Sequence, residues 1–298
     1  MKAKFIINPS SGKQNFLKSI ESMVGCLVLN QVVNQVDVVY TQHEGDALKA
    51  AKAIRKGEWD FVVSVGGDGT LNDVIQGLME GESETPLAVI SVGTANDFAQ
   101  YVRTPQTPEA FCKMIMEFKI RRIDVGRIND QYFISRVSGG FGANVGDRVS
   151  QESKAVLGKL AYYMEGAMDV SRQGVKTMKV RFDSPQFKGE REIISFAVLN
   201  ACGNSGLYRG VKDIDPEDGL LDVMIVKKIV LGQMPGLGIR ALTKRMTKHP
   251  KVTYFRTDKL RIESGDDSDP MVAFDGQEYG KLPVELSVLP KALKLLIP

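Results

Sequence analysis

The chain has 298 residues, of which 43% are apolar and 25% charged, and its formal net charge is +3. A single hydrophobic core stops growing near ~250–300 residues, so this length predicts two domains. The small charge excludes an argument for nucleic acid from charge alone, and only two histidines, His43 and His249, exclude a histidine-rich metal centre and a Ser-His-Asp hydrolase.

In chain order, the first third repeats one pattern: an apolar run, a Gly/Ser/Asn-rich turn, then a helical pattern. It appears as Lys4–Ile7, the turn Asn8-Pro9-Ser10-Ser11-Gly12-Lys13, and a helix through Phe16, Leu17 and Ile20. It recurs as Phe61–Val65, the loop Gly66-Gly67-Asp68-Gly69-Thr70, and Leu71–Met79, and again as Leu87–Val92, Gly93-Thr94-Ala95-Asn96-Asp97, and Phe98–Val102. Between the first two lie a strand, Val36–Tyr40, and a helix, Asp46–Lys56. Short β-branched strands alternating with helices predict a parallel sheet covered on both faces, with ligands beyond the carboxyl ends of its strands. All three unusual loops belong to that edge.

After about residue 125 the texture changes to period-2 segments: Lys176–Asp183, Arg191–Leu199, Leu220–Val226, Val252–Phe255, Lys259–Glu263, Met271–Phe274 and Val284–Leu289. These predict an antiparallel β-sandwich or partial barrel, with helical patterns at Ser153–Ser171 and Leu231–Lys248. The fold class is therefore α/β in two domains, with the boundary near Ile123–Gly126. Cys26, Cys112 and Cys202, an odd number without a CxxC pair, fit reduced thiols in a cytosol. No apolar run approaches the ~20 residues that span a bilayer, and the apolar stretch after Met1 is too short for a signal peptide. The expectation is a cytoplasmic protein whose membrane contact is at the surface.

Three glycines in four positions let backbone N–H groups of residues 66–70 curl around an anion at a helix N-terminus. A carboxylate among phosphates is repelled unless a cation lies between, so Asp68 is read as a Mg²⁺ residue; the plain alternative is a tight turn capped by Asp68. The loop matches neither the Walker A pattern nor the GxGxxG fingerprint. Asn8–Lys13 reads as a second wall of a phosphate pocket with Lys13 as its cation, or as an ordinary turn with a serine cap. Thr94 reads as a nucleotide contact and Asp97 as a partner of Asp68, or Asn96 or Asp97 as a helix cap. Asp124 is a third candidate carboxylate, or part of a hinge salt bridge. The stretch Asp213–Asp222 holds five acids and a glycine, which suits a hard cation or an acidic hairpin turn.

Taken together, Asn8–Lys13, Gly66–Asp73, Gly93–Ala99, Ile123–Gly126, Asp218–Leu220 and Asp275-Gly276 resemble the diacylglycerol kinase catalytic family, and Gram-positive members in particular through Thr247–Val252 and Lys281-Leu282-Pro283. The resemblance implies a domain 1–125 related to phosphofructokinase and NAD kinase, to which 290–298 return, and a β-sandwich acceptor domain 126–289. ATP would lie in the cleft between them. It implies ATP contacts at Asn8, Pro9, Ser10, Ser11, Gly12, Thr41, Gly66, Gly67, Asp68, Gly69, Thr70, Leu71, Asn72, Asp73 and Thr94. Asp68 and Asp97 resemble a water-linked Mg²⁺ dyad, with Lys13 and Asp124 beside them. A structural Mg²⁺ would take the carboxylate of Asp218 and the carbonyls of Asp215 and Leu220.

The family's acceptor motif reads Asp-Gly-Glu, with the Glu as base; this chain reads Asp275-Gly276-Gln277-Glu278. A Gln amide cannot take a proton at neutral pH. Asp275 is the favoured base; Glu278 is disfavoured because a one-residue slip in a strand reverses its face. Failing both, the protein is an impaired kinase or a nucleotide- and lipid-binding regulator. The expected reaction transfers the γ-phosphate of ATP, with Mg²⁺, to a lipid hydroxyl, diacylglycerol before a sphingoid base, phosphatidylglycerol or polyprenol. Between Lys227 and Thr257 stand eight Lys/Arg and no acid. With Leu231, Met234, Leu237, Leu242 and Met246 this reads as a face for anionic lipid or as a packed basic helix. Ser138–Ala143 is a candidate lipid entrance or a plain loop. A homodimer is compatible with the sequence.

Overall fold

The computed structural model describes residues 1–11, 16–93, 97–140, 177–201, 211, 214–228, 246–266 and 270–298, without the side chains of 97, 100 and 246. The expected helix 153–171, the candidate entrance beyond Gly140, and 229–245 of the basic segment lie outside them.

The first unit is built on four parallel strands: β1 (Lys2–Ile7), β2 (Gln35–Tyr40), β3 (Phe61–Gly66) and β4 (Leu87–Ser91). They stand in the order β2-β1-β3-β4. All six residues of β3 are buried, as a central strand covered on both faces requires. Alternation along the strands sorts their side chains between two cores. Ile6, Val62 and Val89 meet helices α2 (Asp46–Lys52) and α3 (Asp68–Glu80) through Ala47, Ala51, Leu71, Val74, Ile75 and Leu78. Phe5, Ile7, Phe61, Val63 and Val65 meet α1 (Phe16–Leu29) and α5 (Pro108–Glu117), the latter capped by Thr107. Helix α4 (Asp97–Val102) follows β4. Helix α2 is a turn shorter than its sequence pattern, because the chain leaves it at Ala53 and turns at Gly57 with φ 76°. Helix α3 starts three residues early, at Asp68, so the glycine loop runs directly into it.

The second unit is antiparallel: β5 (Ile120–Ile128), β6 (Gln131–Phe133), β7 (Arg136–Gly140), β8 (Met178–Asp183), β9 (Lys188–Leu199), β10 (Leu221–Lys227), β11 (Val252–Thr257), β12 (Lys259–Ser264), β13 (Met271–Phe274), β14 (Gln277–Lys281) and β15 (Val284–Leu296). Strict alternation is plain in β8, where Met178, Val180 and Phe182 face inward and the residues between them face solvent. They join Phe133, Phe196, Val223, Ile262, Val272 and Leu286 in one sandwich core.

Strand pair β5–β15 joins the units. Ile120–Ile123 pair with Leu296–Leu293, and Val125–Ile128 pair with Leu289–Leu286, with a register shift at the kink around Lys291, φ 53°. Beyond the kink Leu295 pairs in parallel with Leu87 of β4. Among the described residues no helix is long and apolar enough to cross a membrane.

Candidate active site

The carboxyl ends of β1, β2, β3 and β4 release their loops at one edge of the sheet. Backbone bonds carry the ladder one residue past each strand: Asn8 N–H to Val65 O (2.9 Å), Thr41 N–H to Ile7 O (2.9 Å) and Val92 N–H to Gly66 O (3.0 Å). Asn8, Thr41, Gly66 and Gly93 are thereby brought side by side.

Gly66 makes the tight turn feasible. A Cβ there would lie 2.4 Å from the Cβ of Thr70, a distance no side chain can accept. Thr70 folds back into that space and is buried, and its Oγ1 accepts a hydrogen bond from Asn8 Nδ2 at 3.0 Å. Asn8 Oδ1 accepts the Ser10 N–H at 3.0 Å, which shapes the first loop. Gly67 then opens α3 in an extended conformation with no side-chain cap. The first N–H groups of a 13-residue helix, which have no partner within the helix, are therefore presented at the loop with their positive end of the helix dipole.

A cleft of about 370 Å³ lies on this edge, lined by Asn8, Ser10, Thr41, Gln42, His43, Glu44, Ala47, Gly69, Thr70, Asp73 and, from the second unit, Gln277. The structure thus brings six of the expected contacts together with the residue at the motif's Glu position. Gln42, His43, Glu44 and Ala47 were missed because nothing in their sequence marks them; their signal is position, directly after a strand of the parallel sheet. Asp73 is half-buried; desolvation first, then the nearby Glu44 carboxylate, holds its carboxyl above the ordinary range. Asp68 begins α3 beside the cleft. Leu71 and Asn72 are buried behind it on the same helix. Gly12, Lys13 and Thr94 lie outside the described residues, as does the side chain of Asp97. A larger hollow of about 680 Å³ lies on the polar outer face of β5, β8, β12 and β15, lined by residues such as Arg127, Lys259 and Glu285 and by none of the phosphate-loop residues. The convergence of loops, not size, selects the smaller cleft.

Asp275 and Gly276 form a two-residue hairpin turn between β13 and β14, both with positive φ (44° and 89°), the turn an Asp-Gly pair favours. Gln277 closes the hairpin opposite Phe274 and reaches the cleft. Asp275 points the other way. Its Oδ2 accepts the Ile134 N–H (2.6 Å) and its Oδ1 the Ser135 and Arg136 N–H groups (2.9 and 2.8 Å). Burial pushes its carboxyl up to about 6, against the opposing pull of those donors and of the Arg136 charge. Asn200, fully buried, holds the same segment by its carbonyl, donating to Ile134 O at 2.9 Å and to Asp124 O at 3.0 Å.

Among the described residues, Asp124 makes no salt bridge. It is fully buried in the β5–β15 kink, where Oδ1 accepts the Lys291 N–H and Oδ2 the Gly219 N–H, both at 2.7 Å. It does not line the cleft. In the acidic turn, Asp215 Oδ1 accepts the Glu217 N–H (3.1 Å) and Asp218 Oδ1 the Leu220 N–H (2.9 Å). Among the described residues, no three His, Cys, Asp or Glu side chains converge as a metal cluster.

A glycine-rich loop edge on a parallel α/β unit, closed by a hairpin from an antiparallel sandwich, defines a two-unit α/β protein with a cleft at the carboxyl edge of its parallel sheet. Comparison with known proteins makes this specific. The diacylglycerol kinase catalytic domain model matches residues 2–128, and the YegS C-terminal NAD kinase beta sandwich-like domain model matches 135–297. The chain is similar to the diacylglycerol kinase of Staphylococcus haemolyticus, 28% identical over 99% of this chain and 88% of that protein. It is likewise similar to that of Staphylococcus aureus strain MRSA252, 29% identical over 100% and 92%. Among solved structures, a diacylglycerol kinase of Bacillus anthracis superposes with a TM-score of 0.75 at 20% identity over 100% of this chain and 97% of that one. An NAD kinase of Archaeoglobus fulgidus in complex with ATP gives 0.57 at 14% identity, over 99% and 93%. The chain belongs to the diacylglycerol kinase catalytic family of lipid kinases.

Proposed function

We propose that the protein transfers the γ-phosphate of ATP to the hydroxyl of diacylglycerol, giving phosphatidic acid. The observation that carries this reading is the cleft in which Asn8, Ser10, Gly69 and Thr70 stand opposite Gln277 of the sandwich. A nucleotide bound along the loops would point its phosphates at the unit that holds the acceptor. The names of the staphylococcal relatives support diacylglycerol as that acceptor, and the ATP of the Archaeoglobus neighbour supports ATP as donor.

Phosphoryl transfer is mainly positioning and charge stabilisation. The α3 N–H groups and Ser10 would hold the phosphates, and Thr41 and Asp73 would line the nucleoside side. Asp68 supplies the hard oxygen donor that Mg²⁺ prefers at that position, and the bound ion would screen phosphate charge. Gln277 would orient the acceptor hydroxyl by its amide oxygen. Asp275 is the proposed proton acceptor. Its carboxyl, pushed up to about 6, is matched to neutral pH, and from its place behind Gln277 it would take the proton through an intervening water.

One observation favours a second reading: Gln277, not a carboxylate, faces the cleft from the sandwich, and Asp275 stands behind it. A protein that binds nucleotide and lipid with little turnover fits that arrangement. Labelled ATP with diacylglycerol, compared for wild type, Asp275→Asn and Gln277→Glu, separates the two. The kinase reading expects turnover in wild type and its loss in Asp275→Asn with nucleotide affinity kept. The binding-protein reading expects turnover only in Gln277→Glu.

A further inference from the structure

The acidic turn before β10 is where the family resemblance implies a structural divalent cation, and its described carboxylates are already engaged. Asp218 has both carboxylate oxygens occupied: Oδ1 by the Leu220 N–H at 2.9 Å and Oδ2 by the guanidinium of Arg256, with which it is ion-paired. Arg256 stands directly opposite Asp222 in the β10–β11 ladder, and its Nε lies 3.7 Å from Asp222 Oδ1. Asp222 is 1% exposed, and Oδ1 also accepts the hydroxyl of Tyr254. Among the described residues, Asp222 Oδ2 and Arg256 Nε are buried without a hydrogen-bond partner. Glu217 is ion-paired with Arg121 of β5. From below, Asp124 donates its N–H to Pro216 O and accepts the Gly219 N–H, each at 2.7 Å.

A guanidinium is always protonated, and its planar fork can address two carboxylates at once. A divalent ion on Asp218 would stand beside that fixed positive charge and would have to displace it, since like charges ~4 Å apart repel strongly at a partly buried site. The carboxylate that a cation would need is the one the guanidinium already holds. The donor set therefore does not fit a resident divalent ion.

We propose that Arg256 takes the place of the structural cation, so that the turn 214–222 is held by an arginine built into β11 and binds no metal. Its stability is then insensitive to chelators, and any requirement for divalent ion is confined to the phosphate loop. Nothing in this depends on catalysis or on which lipid is the substrate.

The test uses the full chain without nucleotide, in an Asp68→Ala background that removes the carboxylate of the phosphate loop. Free Mn²⁺ is followed by electron paramagnetic resonance during titration, and melting is followed with EDTA or Mg²⁺. With Arg256 present, no Mn²⁺ should bind tighter than ~1 mM, the weak end of protein oxygen-ligand sites, and EDTA should leave the melting temperature unchanged. Arg256→Gln should melt roughly 3–8 °C lower in EDTA, the range for losing a partly buried ion pair in a chain of this size. It should also bind one Mn²⁺ per chain, recover in Mg²⁺, and lose both gains on adding Asp218→Asn. One tightly bound Mn²⁺ with Arg256 in place, abolished by Asp218→Asn, would overturn the proposal. So would a folded Arg256→Gln protein that gains no ion. Should Arg256→Gln fail to fold, the titration with Arg256 present, with and without Asp218→Asn, decides alone.

Discussion

Gly66, Thr70 and Asn8 depend on one another in sequence. The absent side chain of Gly66 leaves the space Thr70 fills, and the Thr70 hydroxyl holds the Asn8 amide that shapes the first loop. Gly66→Ala should therefore weaken ATP binding at least tenfold and cost roughly 1–3 kcal/mol of stability, the usual range for forcing a methyl into filled space; isothermal titration and denaturant unfolding measure the two. Asp275 has a pH signature. Its folded carboxyl titrates at about 6, above the ~4 of an unfolded aspartate. Between those values the folded protein holds a proton that the unfolded chain has released. This group's contribution to stability is thus greatest below about pH 4, falls as pH rises to about 6, and is level above. Asp275→Asn should remove that slope from a series of unfolding midpoints. Because the amide cannot accept all three N–H groups, it should also lower stability by ~1–3 kcal/mol at pH 7.

At the scale of elements, the β5–β15 pair is the joint on which the cleft depends. It carries one half of each strand on the parallel unit and the other half on the sandwich, with Asp124 buried at the bend. Asp124→Ala would leave the part-buried N–H groups of Lys291 and Gly219 without their carboxylate partner, a cost of roughly 2–6 kcal/mol at ~1–3 kcal/mol for each, toward the low end where water reaches them. Circular dichroism melts should show it, and the loss should exceed that of any exposed pair such as Lys113–Glu117. Most strands of both units were legible because continuous apolar runs and strict alternation are local signals; β6, β7 and β14 were not, being short and polar or glycine-bearing, and Ser138–Gly140, read as an entrance or a loop, lie in β7. The glycine loop was legible too, since its turn, hydroxyl and helix start are contiguous. Helix α5 stands outside the strand-loop-helix repeat and is not predicted by it, although Thr107 as cap, Pro108 at its start and the spacing of Phe111, Met114 and Ile115 all mark it. The engagement of Asp124 and Asp275 was not legible. Their partners are backbone N–H groups 95 to 167 residues away, and a backbone donor leaves no trace in the identity of a residue.

At the scale of the whole molecule, two units share one strand pair and face each other across one cleft, and the proposed reaction would hold the nucleotide on the first and the acceptor on the second. Asp68 sits where the phosphates would bring their charge, so Asp68→Ala should reduce turnover by ~10²–10³-fold, the effect of losing one preorganised electrostatic contact to the transferred group, while the melting temperature changes little. The most direct measurement is transfer of label from γ-labelled ATP into lipid, using the full chain, Mg²⁺ and mixed micelles of diacylglycerol, with sphingosine, phosphatidylglycerol and polyprenol as separate acceptors. The account predicts labelled phosphatidic acid from wild type, and its loss in Asp68→Ala. Tight ATP binding by wild type with no labelled lipid from any of the four acceptors would contradict it.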